Sequence, residues 1–89
     1  MRTALVLNPS KGGWERALEA VVAATQAAGW PDPDVHLTTR DDCGHGQATA
    51  AVAAGAKLVV AAGGDGTVRH VAHALGGTEV DLGIVPIGT

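Results

Sequence analysis

The run Leu58-Val59-Val60-Ala61-Ala62, passing directly into Gly63-Gly64-Asp65-Gly66-Thr67, sets the tightest limit on how this chain can fold. An unbroken apolar stretch bounded by glycines reads as a strand buried on both faces. Such strands belong to parallel sheets covered by helices. The same grammar recurs along the chain. Residues 3–7 form a short apolar run that ends in the turn cluster Asn8-Pro9-Ser10-Lys11-Gly12-Gly13. Residues 14–28 are rich in Ala, Glu and Leu, place Leu18, Val21, Val22 and Thr25 on one helical face, and stop at Gly29. A second strand is expected over 35–38, a polar loop over 39–45 and an Ala-rich helix over 47–54. A helix over 68–75 follows, with Val71, Ala72 and Leu75 as its apolar stripe, and then a fourth strand over 82–85. The order β-α-β-α-β-α-β predicts a Rossmann-like α/β fold with a parallel sheet of about four strands. Because the last strand runs into a loop, the sheet is expected to be incomplete at its C-terminal end.

In such folds the loops that leave the strands lie at one sheet edge, where ligands bind. Gly63, Gly64 and Gly66 leave backbone amides uncovered, and the following helix adds free N–H groups and the positive end of its dipole. That is an anion site suited to phosphate. Asp65 beside phosphates is repulsive unless Mg²⁺ or a substrate hydroxyl mediates, and both solutions point to phosphoryl transfer. The competing reading is a tight strand–helix turn with Asp65 or Thr67 as N-cap. The loop from Asn8 to Gly13 offers the Ser10 hydroxyl, the Lys11 ammonium and the amides of Gly12 and Gly13. It is equally an Asn-Pro turn opening a helix. The two loops converge only if the first and third strands are neighbours, as in a 2-1-3-4 order.

Other chemistries fit poorly. No G-x-x-x-x-G-K-[ST] sequence is present, and Gly64-x-Gly66-x-x-Arg69 lacks the third glycine of a dinucleotide fingerprint. Gly44-x-Gly46 sits in a polar loop, and the second strand ends in Thr38-Thr39 rather than in an acid that could grip a ribose. A net charge of −3 and only Trp14 and Trp30 as aromatics disfavour nucleic-acid partners. Cys43 is the one cysteine, so no internal disulfide forms. With no apolar run of about 18 residues and no signal-peptide core, a cytoplasmic protein is expected. His70 and His73 stand at i, i+3 on a helix, with no further ligand evident for a metal. Trp14 and Trp30 read as packing residues, and Lys57 as a surface residue.

Asn8-Pro9-Ser10-Lys11-Gly12, Gly63-Gly64-Asp65-Gly66-Thr67-Val68 and Gly83-Ile84-Val85-Pro86-Ile87-Gly88-Thr89, in that order, resemble the diacylglycerol kinase catalytic domain, a family that includes bacterial lipid kinases and sphingosine kinases. The Gly-Gly-Asp-Gly block alone is shared with NAD kinases, and the closing Pro86-x-Gly88-Thr89 block favours the lipid-kinase branch. The resemblance implies that residues 1–89 are the nucleotide-binding part of a kinase that moves the γ-phosphoryl of ATP, with Mg²⁺, to a lipid hydroxyl such as that of diacylglycerol. It implies that Asn8, Pro9, Ser10, Lys11 and Gly12 line the phosphates and that Thr39 touches the nucleotide. It further implies that Gly63, Gly64, Asp65, Gly66, Thr67, Val68 and Arg69 wrap the triphosphate, and that Thr89 closes the site. Asp65 is then the catalytic candidate, either organising metal and water or acting as base. Arg69-His70 stands where the family commonly has Asn-Glu. A separate lipid-binding domain, membrane contact through it, and self-association are the further expectations. The alternatives are an NAD-kinase-like enzyme and a non-catalytic nucleotide-binding module.

Overall fold

The computed structural model describes residues 1–87. Its elements are β1 (Thr3–Leu7), α1 (Trp14–Ala28), β2 (Asp34–Leu37), α2 (His45–Ala53), β3 (Leu58–Gly63), α3 (Asp65–Leu75) and β4 (Asp81–Pro86). All strands are parallel and lie in the order β2-β1-β3-β4, which is the expected α/β sheet with the first and third strands adjacent. Leu7 pairs with Ala62 in register, so β1 and β3 release their loops side by side.

The central strands are buried on both faces. Ala4, Val6, Val59 and Ala61 pack under α2 and α3 through Ala48, Ala51, Val71 and Leu75. Leu5, Leu7, Val60 and Ala62 pack under α1 through Ala17 and Val21. The edge strands depart from the expectation of unbroken burial. Val35 and Leu37 stand about half exposed on β2, because α1 alone covers their face and lies over the centre of the sheet; Ile84, on the opposite face of the edge strand β4, is likewise about half exposed.

Several boundaries also shift. The strand expected at 35–38 lies one residue earlier, over Asp34–Leu37, and the helix expected at 47–54 runs from His45 to Ala53. The largest shift is in α3, which begins at Asp65 rather than at 68. Its buried stripe is Thr67, Val71 and Leu75, while Ala72 faces outward. The stripe advances by four residues at each step, so Thr67 belongs to it and Ala72 does not. In α1 the same spacing buries Ala17, Val21 and Thr25 and leaves Leu18 and Val22 half covered. The helix ends as expected at Gly29, with φ 73°, where amide protons return to the Gln26 and Thr25 carbonyls.

Gly63 closes β3 against α3. A Cβ there would lie 2.7 Å from both Cβ and Oγ1 of Thr67, which is buried, so absence of a side chain lets the helix start directly on the strand. Gly63→Ala is therefore expected to lose about 1–3 kcal/mol of stability. Gly66→Ala, whose Cβ would meet nothing within 4 Å, is expected to be neutral or stabilising by up to about 1 kcal/mol. Chemical denaturation of the two variants against the parent chain checks the contrast.

Candidate functional site

The loop after β1 is built on an asparagine. Asn8 donates its backbone N–H to the Ala62 carbonyl at 3.0 Å, which carries the β1–β3 pairing one residue past the strand. Its Oδ1 accepts from the Ser10 amide at 3.0 Å and from the Ser10 hydroxyl at 2.7 Å. This Asx turn uses the hydroxyl proton that the sequence reading offered to a ligand. The turn throws Lys11 across to the neighbouring loop. A Cβ built on Gly64 would find Lys11 Cε at 3.7 Å and Nζ at 4.0 Å. Gly64 itself is extended, with φ −82°, and precedes the first turn of α3, where no side chain caps the amides. The free N–H groups of that turn, the dipole's positive end and the Lys11 ammonium thus face one space.

That space is a cleft of about 210 Å³ lined by Asn8, Lys11, Cys43, Gly64, Asp65, Gly66, Thr67 and His70. A larger cleft of about 400 Å³ adjoins it between the ends of β1 and β2, lined by Asn8, Pro9, Ser10, Thr38, Thr39, Arg40 and Cys43. Asn8 and Cys43 belong to both. The two loops the sequence singled out therefore meet, and Thr39 is on the same edge. Asp65 is exposed in the first turn of α3 and makes no ion pair with Lys11; Arg2–Asp34 is the one salt bridge among the described residues.

The remaining expected residues are placed differently. Gly12 lines a separate recess with Gly13, Arg16 and Ile87 on the α1 side. Gly63 is a packing residue beneath Thr67. Val68 packs against the core under α2 and α3, and Arg69 is exposed on α3 and lines neither cleft. Thr89 lies outside the described residues. Cys43, His70 and Arg40 line the clefts without having been nominated. The available hint for Arg40 and Cys43 was their place in a polar loop at the carboxyl end of a strand.

That loop is held by its own polar groups. Thr39 N–H donates to the Asp42 carbonyl and Asp42 N–H to Thr39 Oγ1. The Asp42 carboxylate accepts from Gly46 N–H at 3.0 Å, capping α2, and Gln47 Nε2 bridges the carbonyls of Leu37 and Asp42. A Cβ at position 46 would overlap the same carboxylate, so a side chain there would push Asp42 off the Gly46 amide. Asp42→Ala is expected to destabilise the chain by about 1–2 kcal/mol through loss of the cap. Amide exchange should quicken from Thr39 to Gly46 while the β1–β3 amides stay protected; thermal melts and hydrogen exchange check both.

Comparisons with known proteins give the family. The model of the diacylglycerol kinase catalytic domain matches residues 2–89. A Pseudomonas fluorescens protein named "Probable lipid kinase YegS-like" is 37% identical over 90 residues, covering 99% of this chain and 30% of that protein. A protein of the same name from Pseudomonas aeruginosa is 42% identical over 87 residues, covering 96% of this chain and 28% of its own length. A solved Bacillus anthracis structure with a diacylglycerol kinase designation superposes with a TM-score of 0.66 at 29% identity, over 99% of this chain and 31% of that one. This chain thus spans less than a third of these relatives' length. With the family match running nearly end to end and the glycine loops meeting at the sheet edge, the chain belongs to the diacylglycerol kinase catalytic domain family.

Proposed function

We propose that residues 1–89 form the nucleotide-binding part of an ATP-dependent lipid kinase, which transfers the γ-phosphoryl group to a lipid hydroxyl of the diacylglycerol class. The observation that carries this reading is the Lys11 side chain beside the Cβ-free backbone of Gly64, at the amino end of α3. A cation and uncovered amides aimed at one cleft are what a polyphosphate requires. The adjoining cleft past Asn8 and Cys43, with Thr39 and Arg40 on its walls, would take the nucleoside. The comparisons favour a lipid kinase over the NAD-kinase alternative.

Mg²⁺ fits the residues present. No group of three His, Cys, Asp or Glu side chains converges among the described residues. Asp65, exposed at the rim of the cleft, would supply one carboxylate, leaving the other positions to phosphate oxygens and water, as this ion prefers. When bound, the ion would neutralise phosphate charge. Lys11 and the first amides of α3 would orient the phosphates and stabilise charge on the transferred oxygens. Asp65 serves here as a positioning carboxylate, and the proton of the acceptor hydroxyl leaves to a group outside these residues. The lipid pocket, and any contact with a membrane surface, would belong to the further length that the relatives have. No described helix is long and apolar enough to cross a membrane.

Titration calorimetry with Mg-ATP tests the cradle. The parent chain should bind. Gly64→Asp should weaken binding at least tenfold, about 1.4 kcal/mol, by placing a carboxylate on Lys11 and against the triphosphate. Lys11→Ala should weaken it in the same direction. Neither change should lower thermal stability by much, since Gly64 has a backbone conformation open to any residue and Lys11 is exposed. Equal binding by all three chains, or no binding by the parent, would overturn the proposal.

A further inference from the structure

His70 and His73 are one helical turn apart, yet the tertiary fold gives His73 a different neighbour. Packing of α2 on α3 sets the His73 ring against that of His45, the first residue of α2. The ring centroids are 5.7 Å apart and the planes are inclined by 40°. Both residues are exposed, and among the described residues neither imidazole is engaged in a hydrogen bond or ion pair. His45 contributes only its backbone carbonyl, to the Thr49 hydroxyl.

An imidazole nitrogen sits about 2.0–2.1 Å from a bound zinc ion, which puts each ring centre about 3.2 Å from the metal. Two such rings at a tetrahedral angle have centres roughly 5.2 Å apart. The observed separation exceeds this by about 0.5 Å, within reach of a small rotation of two exposed side chains. We propose that His45 and His73 form a two-ligand site for a borderline divalent cation of the Zn²⁺, Ni²⁺ or Cu²⁺ class, bridging α2 and α3. Neutral imidazole selects these ions over Mg²⁺ and Ca²⁺, which take oxygen ligands. With no third His, Cys, Asp or Glu converging among the described residues, water completes the shell and the ion exchanges freely. Binding would clamp together the two helices whose amino ends border the clefts. It involves neither Asp65 nor Lys11, and so stands independently of the nucleotide reading.

The test is a Zn²⁺ titration of the 89-residue chain carrying Cys43→Ser, which removes the exposed thiol as a competing ligand. It is followed by calorimetry and by the imidazole resonances in NMR. One ion per chain should bind, with the His45 and His73 resonances moving together, and Mg²⁺ at the same concentration should move neither. His45→Ala and His73→Ala should each weaken binding about tenfold or more through loss of one of two ligands, while His70→Ala should change it by less than about twofold. All three positions are exposed, and circular dichroism establishes that each variant is folded. Absence of zinc binding would overturn the proposal. So would binding that survives His45→Ala and is lost in His70→Ala, which would assign the ion to the pair within α3.

Discussion

Everything at the candidate site hangs on the pairing of β1 with β3. These two strands are buried on both faces and run in register, Leu7 beside Ala62. One further hydrogen bond, from Asn8 N–H to the Ala62 carbonyl, holds the first loop against the second after the ladder has ended. Because the strands are parallel, both loops emerge at the same edge. Separate those strands by one position in the sheet, and Lys11 would lie about 4.8 Å farther from Gly64, out of reach of the same phosphate.

Small side chains make this closeness possible. The core under α2 and α3 is largely alanine and valine, with Ala48 and Ala51 letting the helix settle on the sheet. Gly63 takes the principle to its limit, since the Thr67 side chain occupies the volume a Cβ would need. The glycine cluster therefore divides its work. Gly63 serves packing, whereas Gly64 presents bare backbone to the cleft beneath Lys11. Their adjacency in sequence conceals two different physical demands.

The two faces of the sheet are covered unequally, by one helix and by two. On the α1 side an apolar recess of about 270 Å³ runs along Val21, Trp30, Leu58, Val60 and Val85, and Val35 and Leu37 stand open on β2. A sheet with that much apolar surface in view has room for further cover.

Much was legible before any coordinates. The apolar run at 58–62, the stop at Gly29 and the strand–helix alternation determined element types and the α/β class, because burial on two faces and the needs of a helix end are local demands on residue type. The loops at Asn8 and Gly63 were recognisable as ligand-edge loops for the same reason. What the sequence could not decide was which groups share a space. That Ser10 spends its proton on Asn8, that Cys43 and His70 line the cleft and Arg69 does not, and that the His73 ring meets that of His45 are consequences of helix phase and of strands brought together from distant parts of the chain. Residue type and spacing are sums over neighbours in the chain; a site is a sum over neighbours in space, and only the folded sheet supplies those.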